Sequence, residues 1–197
     1  MNDVVRLTDD EIIAAAVELG GEWKGVLPTV DVEDRGELER AAARGVRSFM
    51  VRQLIDEGPD GLPSEDVRRL VRPGVGAVAR AVLFPSEQED PLKAGGAWLT
   101  VFAADEHSRA VVVTSSAGIS ELQLVDADHA RRVVAGFIEL RAPAVTLLMP
   151  SSPERGNYAI VAGDLTDVGD YAHGQLEPPR DARRPLGDVL PAMLADL

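Results

Sequence analysis

The chain has 197 residues, no cysteine, and 33 acidic against 20 basic side chains, for a net charge of -13. Those totals exclude disulfides, thiolate catalysis and cysteine-held metals, and a field of that sign opposes general binding to a phosphate backbone. A hydrophobic share of 45% with 27% charged residues is that of a packed globular chain, not of a disordered tract. No apolar run approaches the roughly 18 residues that a membrane span requires. The first residues, Met1 to Arg6, lack the basic-then-apolar pattern of a secretory signal, so a cytosolic location is expected.

The first predicted element is a helix in LTDDEIIAAAVELGG. Thr8 is placed to cap it and Glu11, three residues on, completes a capping box. Gly20 and Gly21 stop it. VLPTVDV then reads as a short edge strand interrupted by Pro28, which lacks a ladder N–H. The strongest helical pattern is DRGELERAAARGVRSFMVRQLIDEG, where Leu38, Ala41, Ala42, Val46, Phe49, Met50 and Leu54 recur every three to four residues. Gly45 in its middle marks either a break or a close helix contact. A Gly/Pro loop leads to a short helix capped by Ser64 and ended by Pro73. Arg68, Arg69 and Arg72 cluster there among acidic residues, as Arg44, Arg47 and Arg52 do earlier; both groups read as solvated helix faces.

From Gly74 the texture becomes apolar and partly alternating. GVGAVARAVLFPS predicts a strand, EQEDPLKAGG a polar loop, and GAWLTVFAADEHSRAVVVTSSAG followed by SELQLV an antiparallel meander. A two-residue tip at Glu106 and His107 sets Asp105 opposite Ser108, Phe102 opposite Val111 and Thr100 opposite Val113. One face then carries Trp98, Phe102, Val111 and Val113, the other Leu99, Val101 and Val112. Both are apolar, so both need cover. The predicted helices supply part of it; the rest must come from more of this chain, a twin subunit or a partner. The polar knot Asp105-Glu106-His107-Ser108 reads as a solvated turn.

Asp126 or Asp128 caps the next predicted helix, ADHARRVVAGFIEL, with Val133, Val134, Phe137 and Leu140 inward. APAVTLLMPSS predicts a strand, and NYAIVAGDL fits strand or helix. DYAHGQLEPPRDARRPLG reads as a Pro-rich connection, and DVLPAMLADL as a short helical tail despite Pro191. No internal repeat is evident. The expected fold is α+β, a single domain over 1–197 with a central antiparallel β-sheet (a meander) flanked by helices and completed by residues 141–197.

Few residues carry a chemical signature. The three histidines, His107, His129 and His173, show no zinc spacing. The nucleophile elbow, the dinucleotide fingerprint and the phosphate loop are all missing. Asp164, Asp167, Asp170 and His173, spaced by three, form the one candidate metal site. On a helix they would share a face, and in a loop they would gather around a divalent cation. No cofactor is expected.

The order of segments also carries a likeness. LTDDEI, then ERAAARGVRSFMVRQLI, GLPSEDVRRLVRP, a strand, GGAWLTVFAADEHSRAVVVTSS and SELQLVDADHARRVVAGFIEL together resemble the EspG family of actinobacterial type VII secretion chaperones, over roughly residues 7–140. The resemblance implies an antiparallel sheet flanked by helices and a cytosolic role in recognising a secreted protein, without catalysis. The expected function is therefore protein binding, with Trp98 and Phe102 as anchor residues, since large aromatics dominate interfaces. The alternatives are a homodimeric regulatory or small-molecule-binding protein that closes its sheet with its twin, and a metal-assisted enzyme built on the three aspartates and His173.

Overall fold

The computed structural model describes residues 4–56, 62–77, 79–87, 90–140, 144–152 and 154–195. The N-terminal strand β1 (Val5–Thr8) runs directly into helix α1 (Asp9–Glu18). The junction is the predicted capping box: Thr8 Oγ1 accepts the Glu11 N–H at 3.3 Å, and the Glu11 carboxylate accepts the Thr8 N–H at 2.9 Å. The segment VLPTVDV is not a strand. It turns over the start of α1 because Asp9 accepts both the N–H and the hydroxyl of Thr29, at 2.9 and 2.7 Å. Helix α2 (Arg35–Arg52) lies against α1. Gly45 is the close contact: a Cβ there would fall 2.1 Å from the Asp10 carbonyl oxygen. Helix α3 (Glu65–Val71), capped by the Ser64 hydroxyl, continues into a 3-10 turn at Arg72–Gly74.

The strands follow as β2 (Ala81–Pro85), β3 (Trp98–Ala103), β4 (Ser108–Thr114) and β5 (Ile119–Asp126), then helix α4 (Ala127–Leu140). Asp126 accepts the His129 N–H at 2.6 Å, as a cap does. The second series is β6 (Ala144–Ser152), β7 (Arg155–Ala162), β8 (Leu165–Ala172), the two-residue β9 (Gln175–Leu176), β10 (Asp181–Pro185) and helix α5 (Leu186–Ala195). Pro191 lies inside α5. NYAIVAGDL resolves as strand and turn, and the Pro-rich segment read as a connection contains β9 and β10. Asp196 and Leu197 of the predicted tail, and Gln88 and Glu89 of the predicted loop, lie outside the described residues.

All ten strands form one antiparallel sheet in the order β1-β5-β4-β3-β2-β6-β7-β8-β10, with β9 beside β8. The fold is thus α+β with a central sheet flanked by helices, as the patterning predicts, and β6 to β10 extend the same sheet. A repeat invisible in the sequence appears here. β2 to β5 step outward from the middle and end in α4; β6, β7, β8 and β10 step outward the other way and end in α5. The two sets meet where β2 pairs antiparallel with β6, Val82 opposite Leu148. The first set has a further strand, β1, on its outer edge; β10 has no such neighbour among the described residues.

The hairpin register differs by one from the expected pairing. Phe102 faces Ala110, Thr100 faces Val112 and Val101 faces Val111. The cause is the tip, which is four residues long. Asp105 Oδ1 accepts the His107 and Ser108 N–H groups at 2.8 and 2.7 Å, and the Ala104 N–H reaches the Ser108 carbonyl at 3.1 Å. One face of the sheet therefore carries Leu99, Val101, Val111, Val145, Leu147 and Ala159, and α4 and α5 cover it with Val134, Phe137, Val189 and Met193. The opposite face carries Leu7, Phe102, Ala110, Val112 and Leu122. There α1, α2, α3 and Trp23 supply the cover. Alternation on each strand places the two apolar sets on opposite sides. No helix among the described residues is long and apolar enough to cross a membrane.

Candidate binding surface

The helices roof the two faces unequally. α4 and α5 lie on one side of both strand sets. α1, α2 and α3 lie on the other side, over β1, β5, β4 and β3, and Val82 of β2 packs against the same cluster. On that second side the alternation from Thr146, Ile160 and Asp167 marks which residues of β2, β6, β7 and β8 look outward. Loops cover part of this area. Thr146 is fully buried; its hydroxyl donates to Pro91 O at 2.6 Å and also lies 2.9 Å from the Ser86 hydroxyl. Tyr158 is fully buried across Gly169, where a Cβ would come 2.6 Å from the ring, and its hydroxyl donates to Glu177 O at 2.8 Å. Burial raises the Tyr158 pKa above the usual phenol range, with Asp167 and Asp170 adding to the effect.

What stays open is an apolar strip: Leu148, Ile160 and Ala162 are half-buried and Leu165 is 42% exposed. Its outer end is a hollow of about 100 Å³ formed by Ile160, Ala162, Leu165, Asp167 and Arg183. Asp167 Oδ1 accepts the Arg183 N–H there at 3.0 Å. The strip is apolar on a chain of net charge -13, and apolar area left in water favours association.

The residues singled out in the sequence fall elsewhere. Phe102 is 0% exposed and packs on Trp23, ring centroids 5.2 Å apart and planes tilted by 59°. It is a core residue with no surface to offer a partner, because α1 to α3 cover its face of the sheet. Trp98 is half-buried at the start of β3, opposite Thr114.

Asp164, Asp167, Asp170 and His173 do not come together. Asp167 and Asp170 lie on β8, with Asp164 and His173 in the turns at its two ends, and an odd spacing along a strand puts the two strand aspartates on opposite faces. Asp170 pairs with Arg180 at 2.6 Å. His173 sits in the turn after β8 at φ 51°, its Nδ1 3.3 Å from Glu154 Oε2. No group of three or more histidine and carboxylate side chains among the described residues is arranged to hold a metal ion. The hairpin tip is a turn whose own amides occupy Asp105, and those hydrogen bonds hold its carboxyl below the usual aspartate range.

No protein family and no curated protein matches the chain. The open strip was missed in the sequence because its residues come from three strands that pattern reading treats separately, and the runs TLLM and NYAIVA are apolar on both faces.

Proposed function

We propose that the chain is a protein-binding module that acts by association and not by catalysis. Its binding surface is the strip formed by Leu148, Ile160, Ala162 and Leu165. One observation carries the reading: among the described residues the first strand set is roofed by helices on both faces, and the second, built on the same plan, on one face only. The segment order shared with the EspG family supports a finer version, a cytosolic chaperone or adaptor for type VII secretion substrates. The acidic remainder of the surface keeps the free module soluble and favours a partner with a basic rim.

A photocrosslinking residue at Leu165 tests this in a host that expresses the type VII substrates. The expected product is a crosslink to a secreted substrate that Ile160→Asp abolishes. The same group at Val51, 84% exposed on α2, gives no such product. Crosslinking only to a second copy of the chain, with a dimer mass in light scattering, would replace this reading by the homodimer. Equal crosslinking from both positions would end it.

A further inference from the structure

A second site lies on the other strand set, and the argument for it does not depend on the strip. The end of α3, the 3-10 turn after it and the β3–β4 hairpin enclose an open cavity of about 700 Å³. That is within the range of small-molecule pockets, roughly 300–1,000 Å³. Leu70, Pro73, Ala103 and Leu124 give it apolar walls, and Arg69 and Arg72 line it.

Both arginines are exposed and lie on the same short helical segment. In a chain of net charge -13, eight other arginines bind carboxylates, Arg68 among them, which reaches Asp56 at 2.7 Å and Glu65 at 2.9 Å. Neither Arg69 nor Arg72 has a carboxylate within ion-pair distance among the described residues. They stand three apart on one continuous helical turn, and like charges at that spacing repel. Asp105, on the opposite wall, does not neutralise them; it is held ionised by the amides of its own turn. Asp105 lines the same cavity as the arginines. The cavity thus offers two guanidinium forks suited to planar or tetrahedral oxyanions, an apolar wall, and one acceptor across from them.

We propose that this cavity binds a small organic anion, a carboxylate or phosphate ester that also carries a hydroxyl or amine donor. The anionic group sits on Arg69 and Arg72, the donor on Asp105. Binding relieves the repulsion between two charges that the fold leaves uncompensated.

Calorimetry of the full chain at low salt, with ribose 5-phosphate, citrate and inorganic phosphate as probes, tests the assignment. The expected result is millimolar or tighter binding of ribose 5-phosphate or citrate, the better of the two distinguishing phosphate from carboxylate. Inorganic phosphate, with no organic body, binds several-fold more weakly. The double variant Arg69→Ala/Arg72→Ala weakens binding by about tenfold or more, the loss expected for charge-assisted hydrogen bonds. Arg132→Ala, which removes another exposed arginine with no carboxylate partner among the described residues, leaves it unchanged. No binding of either organic probe would overturn the proposal. So would undiminished binding by the double variant, or an equal loss in Arg132→Ala.

Discussion

Glu11, fully buried in the first turn of α1, receives the guanidinium of Arg52 from the end of α2 at 2.5 Å. The same carboxylate accepts the Ser48 hydroxyl at 2.6 Å and the Thr8 N–H at 2.9 Å. One side chain thus caps a helix and fastens a second helix to it. Arg52→Met strands a charge in the interior and is expected to cost about 3–5 kcal/mol, the usual penalty for breaking a buried pair from one side. The urea midpoint measures it. A loss below about 1 kcal/mol, typical of an exposed pair, would show that Glu11 is not held by Arg52.

Gly45 and Gly136 predict opposite outcomes for the same change. At Gly45 a methyl group meets the backbone of α1, so Gly45→Ala forces the helices apart and costs about 1–3 kcal/mol. At Gly136, in α4, a Cβ meets nothing within 4 Å. Gly136→Ala stabilises by up to about 1 kcal/mol through helix propensity alone. Thermal midpoints moving in the same direction would contradict the packing described for α1 and α2.

Asp9 gives a pH dependence with a definite sign. It is 1% exposed, and burial raises its carboxyl pKa above the usual aspartate range despite the two bonds from Thr29. The folded state therefore holds this proton more tightly than the unfolded state. The stabilisation is complete below the unfolded pKa and is lost as pH rises through the folded value. Asp9→Asn removes that loss, so its stability relative to the parent chain improves between pH 4 and pH 7. A difference that stays flat or falls over that window would refute the assignment.

Thr146→Val keeps the shape of a buried side chain and deletes the hydroxyl that reaches Ser86 and Pro91. The expected cost is about 1 kcal/mol, with faster amide exchange confined to residues 90–95. Exchange unchanged there would mean that the loop is fastened by other contacts.

The helices were legible because each carries its punctuation: Thr8 with Glu11, Ser64, and Gly45 as a contact. The meander was legible as strands but not in register. Both faces of WLTVFA and RAVVVT are apolar, so a slip by one exposes nothing polar and the pattern cannot object. Only the length of the Asp105 turn decides it. β8 was misread because its aspartates face water on both sides of an outer strand, and their spacing imitates a ligand set. β10 was missed because Pro185 and a bulge hide its pairing. The repeat and the open strip are properties of topology; no short window of residues encodes them.

The last strand has a consequence for the chain at high concentration. A ladder of ten strands ending in a free edge invites another chain to dock by backbone hydrogen bonds and to continue indefinitely. β10 blunts that edge. It pairs irregularly between Asp181 and Arg184, turns Arg183 to φ 44°, puts two guanidinium groups in sequence, and closes on a proline with no N–H to give. The irregularity that obscured this strand in the sequence also makes it a poor template for a second chain.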